Sequence, residues 1–318
     1  MPAEFLIFYM QLLIFTDIDG SLLDFDSYKP GPAVRALEAC RRAGVPVILC
    51  TSKPSAEVRV LRTILDLDTP YIVENGAAIF FPAGTGVAVA AQQLAESKKW
   101  DVSTIEMEDG ETFTRLLSGV ARAGVVEALG EIAREVGMEV RGISEMTMAE
   151  ITERTGLPSD QARAATMREF SEPFIVLKGP GDEGRIERTE LLELIRPAAE
   201  RRGLACALGG RFFHLQGRHS KGTAVERAVA CYSRAISHSS GSDAVDQKSL
   251  LRTMALGDAY NDLEMLAAVD EPVLIRRPDG THAEGIAFPG LVRTECVGPQ
   301  GWFEAVMGAF EGEYPSGD

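Results

Sequence analysis

The sequence predicts an α/β fold, a parallel sheet interrupted by a long α+β insertion, and three observations carry that reading. Short, near-continuous apolar runs alternate with helical patterns at both ends of the chain, as strands buried on both faces of a parallel sheet require. The first of these runs and a late one each stop at carboxylates, in Thr16-Asp17-Ile18-Asp19-Gly20 and Gly257-Asp258. Between them, from about Gly84 to Ala207, the texture changes to long amphipathic stretches with isolated strands.

Residues Phe5 to Phe15 are almost continuously apolar, but no basic region precedes them and no small-residue cleavage site follows. The run is also too short to span a bilayer. It is read as a buried strand over Gln11 to Thr16 preceded by an extension, with Met10 as an alternative start. A helix is expected at Ala33–Ala43 and an apolar strand within Val45–Cys50. A third strand, Tyr71-Ile72-Val73, stops at Glu74-Asn75-Gly76, a turn signal. In the insertion, Glu111 to Val136 reads as amphipathic and Phe174–Leu177 as a strand. Residues Ser233 to Ser249, polar and serine-rich, read as an exposed loop. The parallel pattern resumes with Thr253–Leu256, a helix in "NDLEMLAAV", and a strand at Val273–Ile275. The expected organisation is a Rossmann-like parallel-sheet core, 1–84 and 208–318, with an inserted α+β cap domain, 85–207.

Composition narrows the partners. The formal charge of −15 argues against nucleic acid or an anionic membrane, but not against a small anionic substrate held by local cations. The five cysteines are odd in number and scattered, with no C-x-x-C pair. That predicts a reducing, cytoplasmic setting and argues against a disulfide framework or a zinc site. Oligomeric state is left open.

Ligand sites of parallel sheets lie beyond the carboxyl ends of the strands. Asp17 and Asp19, Thr51-Ser52-Lys53, and Asp258 with Asn261 and Asp262 all fall there. Converging carboxylates cannot all ionise without a cation, because like charges raise one another's pKa. Oxygen ligands with room for a substrate phosphate suit Mg²⁺. Lys221, in "RHSKGTAV", would supply balancing charge. A lysine at a helix N-terminus is electrostatically unfavourable without such a reason.

D-x-D-G-[T/S]-L at the first strand, Thr/Ser at the second, a lysine before the late strands and G-D-x-x-N-D, in that order, resemble the haloacid-dehalogenase-like (HAD) phosphatases. A lone D-x-D is commonly a turn; the ordered set is specific. The insertion resembles that superfamily's type-two cap, subclass B. More narrowly, "TSKP", "ENGAAIFFP", "ARAATMREFSEPF" and "GGRFFHLQGRHSKGTAV" resemble the mannosyl-3-phosphoglycerate phosphatase family over most of residues 11–290.

The resemblance implies roles. Asp17 would attack phosphorus and form an aspartyl-phosphate; Asp19 would protonate the leaving oxygen and then activate water. Asp17, the carbonyl of Asp19, and Asp258 would hold Mg²⁺, with Asn261 and Asp262 fixing that site. Thr51, Ser52 and Lys221 would hold the phosphoryl oxygens. Asn75, Arg168 (near Arg163 and Glu169) and Arg211 are the expected substrate contacts, since a glycerate carboxylate calls for an arginine fork. His214 reads equally as a core histidine. Two positions depart from the family pattern: Ser21 replaces threonine, and Ser220 replaces the acid or asparagine before the lysine. The implied activity is Mg²⁺-dependent hydrolysis of mannosyl-3-phosphoglycerate to mannosylglycerate. The alternatives are the glucosyl analogue, a sucrose-phosphate-like substrate, a phosphomannomutase-type transfer or a non-catalytic metabolite sensor. A receiver domain would be much shorter and would lack both the D-x-D spacing and the cap.

Overall fold

In the computed structural model the described residues are 11–180, 186–208, 211–240 and 251–311. They run β1 (Gln11–Thr16), α1 (Ala33–Ala43), β2 (Val47–Cys50), α2 (Ser55–Leu65), β3 (Tyr71–Val73), β4 (Ala78–Pro82), α3 (Gly86–Lys98), β5 (Asp101–Glu106) and β6 (Thr112–Leu117). Then follow α4 (Arg122–Val136), β7 (Glu139–Gly142), α5 (Met148–Thr155), α6 (Ser159–Thr166), β8 (Ser171–Lys178), α7 (Arg188–Arg201), β9 (Leu204–Leu208) and β10 (Phe213–Gly217). The chain returns through α8 (Lys221–Ser240), β11 (Leu251–Gly257), α9 (Leu263–Ala267), β12 (Glu271–Arg276), β13 (Val292–Val297) and α10 (Gly298–Glu311).

One sheet has the order β13-β12-β11-β1-β2-β3-β4-β6-β5, parallel from β13 to β3 and antiparallel from β3 to β5. Strand alternation assigns its two faces. Leu12 and Ile14 pack with α1 and α10, around Trp302, while Leu13 and Phe15 pack with α3, α8 and α9. Because both faces are covered, the central strands carry no polar alternation, which is why they read as continuous apolar runs. Trp302 Nε1 donates to Thr16 Oγ1 at 2.9 Å and thereby ties α10 to the last residue of β1.

A second, antiparallel sheet, β7-β8-β10-β9, forms the cap with α4 and α7 against one face. Both expected cap boundaries need correction. Residues 86–117, assigned to the insertion, extend the main sheet: β6 pairs with β4 from Ala78↔Leu117 to Pro82↔Phe113. Residues 213–217, assigned to the core, lie in the cap sheet. The cap therefore leaves after β6 and returns after β10. Nor is Glu111–Val136 one amphipathic unit; β6 and α4 are separated by Ser118–Ala121, where Gly119 lies so close to Ala77 and Phe170 that a Cβ would sit 2.8 Å from Ala77 Cβ.

Residues 233–240, expected in a loop, continue α8, because Cys231, Tyr232 and Ile236 face the apolar layer that also contains α3. The expectations for residues 1–10 and 241–249 lie outside the described residues. Among the described residues, no helix is long and apolar enough to cross a membrane.

Candidate active site

The carboxyl end of β1 delivers Asp17, and its backbone N–H donates to Leu256 O of the parallel neighbour β11 at 2.9 Å. The adjacent strands thus bring Asp17 and Asp258 together although they lie far apart in sequence. Gly20 is required for two reasons: its φ is +80°, and a Cβ there would come within 2.8 Å of Asp258 Oδ2. Ser21, buried, donates to Asp258 Oδ1 at 3.5 Å, so the hydroxyl kept at that position is used.

Asp17, Asp258 and Asp262 each offer an oxygen within 4.8 Å of the others. Lys221 opens α8 with its side chain fully buried, and its Nζ donates at 2.6 Å to both Asp17 Oδ1 and Asp262 Oδ1. Burial alone would lower the Lys221 pKa, but the two carboxylates outweigh it and hold the ammonium charged. Burial raises the Asp17 carboxyl well above its ordinary value; Lys221 opposes this, and Asp262, Asp258 and Asp19 add to it. Burial and the charge of Asp262 push Asp258 up to about 7, against the pull of Arg277, whose Nε lies 4.0 Å from Asp258 Oδ2. The cluster holds more negative charge than its cations neutralise.

Asp262 is more committed than its neighbours. Its Oδ2 accepts the backbone N–H groups of Asp258 and Ala259 at 3.1 and 3.0 Å, while Oδ1 accepts from Lys221. It therefore locks the turn and orients the lysine. Ser220, in place of the family's acid or asparagine, instead caps α8 by accepting Thr223 N–H at 3.3 Å. Asn261 is exposed and turned toward Asn75 Oδ1, 3.5 Å away.

Asp19 does not join the three carboxylates. Its Oδ2 pairs with Lys53 Nζ at 3.0 Å, whereas Oδ1 is buried with no hydrogen-bond partner among the described residues. Lys53 falls in the Thr51-Ser52-Lys53 segment expected at the site, beyond the carboxyl end of β2, but the sequence assigned it no role. Its backbone N–H donates to Thr51 Oγ1 at 3.2 Å. Thr51 is buried and Ser52 half-buried at the same strand end.

The Glu74-Asn75-Gly76 turn is the joint between core and cap. Glu74 and Asn75 adopt φ of +46° and +58°, left-handed values uncommon outside glycine. Their N–H groups donate to Lys53 O (3.0 Å) and Thr51 O (2.9 Å), stitching the turn to the β2 loop. The buried Glu74 carboxylate accepts Glu169 N–H at 2.7 Å, Phe170 N–H at 3.2 Å and the Ser171 hydroxyl, all from the cap. Asn75 Nδ2 reaches Gln216 Oε1 of β10 at 3.2 Å.

Of the expected cap residues, Arg168 reaches this joint. Its Nη1 donates to Ser52 O at 3.1 Å and Ser171 Oγ at 3.2 Å, and its buried Nε has no partner among the described residues. Arg211 does not reach it: the side chain is exposed and donates to Arg154 O at 2.9 Å, because it precedes β10 and closes the end of α5. Burial, with the charges of Arg168 and Arg188, pushes the His214 imidazole down to about 3, so the ring is neutral.

Residues 14–106 match the family model for haloacid dehalogenase-like hydrolases. The chain is 33% identical over 298 residues, 94% of its length and 97% of the relative's, to a glucosyl-3-phosphoglycerate/mannosyl-3-phosphoglycerate phosphatase of Methanococcoides burtonii. A protein of the same description from Persephonella marina is 32% identical over 295 residues, covering 93% and 96% of the two chains. A haloacid dehalogenase-like hydrolase from Bacteroides thetaiotaomicron shares the fold with a TM-score of 0.54 at 15% identity, covering 94% of this chain and all of the other. On this relationship, which runs nearly the full length of both relatives, the chain belongs to the haloacid dehalogenase-like hydrolases and is a phosphatase.

Proposed function

We propose that the enzyme hydrolyses glycosyl-3-phosphoglycerates, the mannosyl and glucosyl esters in particular, with Asp17 as nucleophile and Mg²⁺ as cofactor. The observation that carries the chemistry is the buried Asp17–Lys221 pair at 2.6 Å, set among further carboxylates while the Asp19 carboxyl points elsewhere. The substrate class is supported by the names of the two relatives.

The donor set fits a divalent metal. Three buried carboxylates around one lysine leave uncompensated negative charge, and an all-oxygen set suits Mg²⁺. Asp17 and Asp258 would hold the ion, with the Asp19 carbonyl, and Mg²⁺ bound there would neutralise charge on a phosphoryl oxygen. Lys221 holds Asp17 in position and offers further positive charge to the transferring group. An oxygen of Asp17 attacks phosphorus as the ester P–O bond breaks, and Asp19 gives its proton to the departing glycerate oxygen. Asp19 then takes a proton from the water that hydrolyses the aspartyl-phosphate. Thr51 and Ser52, at the carboxyl end of β2, would receive phosphoryl oxygens. Arg168, whose buried Nε has no partner among the described residues, is assigned to the glycerate carboxylate. Five free cysteines support a cytoplasmic setting.

The test is phosphate release with Mg²⁺ from mannosyl-3-phosphoglycerate, glucosyl-3-phosphoglycerate, sucrose 6-phosphate and mannose 6-phosphate, with Asp17→Asn as control. Strong preference for a glycosyl-3-phosphoglycerate, reduced at least about 10³-fold in the variant, is the expected result. Broad, weak release would retain the phosphatase and remove the substrate.

A further inference from the structure

We infer that Lys53 is a positioning residue for the leaving-group proton, holding Asp19 by one oxygen and leaving the other, which has no partner among the described residues, to meet the leaving group. The inference rests on the reading of Asp19 as acid and base. Lys53 Nζ sits 3.0 Å from Asp19 Oδ2 and 3.2 Å from Glu57 Oε2, in the first turns of α2. All three side chains are largely shielded, at 17%, 33% and 16% exposure for Lys53, Asp19 and Glu57, so the ion pair is poorly screened by water. Asp19 Oδ1 is buried and unpartnered among the described residues, which an ordinary surface ion pair would not leave.

The lysine is itself held from every side. Its N–H is bonded to Thr51 Oγ1, its carbonyl accepts Glu74 N–H, and Glu57 fixes the ammonium. The ring of Tyr28 covers it, with Nζ 5.7 Å from the centroid. Tyr28 adopts a φ of +54°, strained for an aromatic residue, in a turn closed by Tyr28 N–H to Asp24 O and Asp24 N–H to Lys29 O, each 2.9 Å. The strained turn, the Lys53–Glu57 contact and an ion pair to only one carboxylate oxygen together fix the Asp19 side chain away from Asp17, Asp258 and Asp262.

The experiment compares two phosphomonoesters with the Mg²⁺-loaded enzyme. 4-Nitrophenyl phosphate has a leaving group that departs without a proton; the alkoxide of mannosyl-3-phosphoglycerate does not. The readout is kcat/KM, which covers the steps through departure of the leaving group and excludes later hydrolysis. Asp19→Asn should lose at least about 10²-fold on the sugar ester, and at least about tenfold less on the aryl ester. Lys53→Met should show the same unequal loss, smaller in size and residing in kcat, and Lys53→Arg should recover most of it. An equal loss on both esters in Lys53→Met, or a rise in KM alone, would overturn the role of Lys53. An equal loss in Asp19→Asn would instead overturn the reading of Asp19.

Discussion

On the core side, Asp17, Asp258 and Asp262 crowd around Lys221 with too little positive charge; on the cap side, Arg168 brings a guanidinium whose buried Nε has no partner among the described residues. The core is short of positive charge, and the cap holds one buried donor still to be satisfied. A metal-bound phosphate ester carrying a separate carboxylate would relieve both, whereas a phosphate ester with an uncharged organic part would relieve only the first. The division also locates specificity: the core supplies chemistry common to phosphomonoesters, and the cap supplies what distinguishes one ester from another.

Removing the metal should expose the core deficit most strongly. Chelation should abolish phosphate release, and the metal-free protein should lose stability as pH rises. The Asp258 carboxyl is raised from 3.8 to about 7, so the folded state binds its proton more tightly than the unfolded state. That contribution is present below about pH 4 and disappears as pH climbs through about 7, by on the order of 4 kcal/mol. Thermal unfolding across this range should therefore slope downward without Mg²⁺ and flatten with it. Identical slopes would mean that no metal replaces the proton.

The joint between the regions comes next. Glu74→Gln preserves shape but removes the charge from an acceptor of two cap N–H groups and the Ser171 hydroxyl. It should cost about 1.5–3 kcal/mol in denaturant unfolding and raise KM for the sugar ester more than for an aryl phosphate. Equal KM changes would uncouple the joint from substrate selection.

The smallest effect belongs to the cap interior. The His214 pKa is depressed from 6.5 to about 3, so its stabilising contribution is complete above pH 6.5 and is lost as pH falls toward 3. Between pH 7 and pH 5 the loss should be on the order of 2 kcal/mol. Urea unfolding of the Mg²⁺-loaded protein at pH 7 and 5 would show it, and His214→Gln should reduce the difference, leaving the share of buried His219, whose imidazole is pushed down to about 4.

The two regions also differed in how far their sequences disclosed them. β1, α1, β3 and β12 are legible because strands buried on both faces are apolar without interruption and their turns carry glycine. The β5–β6 hairpin was not, because it lies at the sheet edge, half-exposed, and its alternation resembles the insertion that follows. The polar run from Ser233 hid a helix whose apolar contacts lie on one narrow face. At the site, Asp17, Asp258, Asp262 and Lys221 were legible from motif order, and the structure brings them together. Lys53 and Glu74 were less so, since each acts through a partner from another element, Asp19 or the 169–171 backbone. Arg211 stands apart from Arg168 and donates to Arg154 O, since sequence proximity to the lysine motif says nothing about which end of the cap strand lies beside the core.

The most direct measurement of the division is kcat/KM for mannosyl-3-phosphoglycerate and for its carboxamide, in the native enzyme and in Arg168→Met. The native enzyme should prefer the carboxylate by about 10²-fold, as a charge-assisted contact requires, and the variant should show almost no preference. A preference that survives undiminished in Arg168→Met would contradict the assignment of the substrate's second anion to the cap.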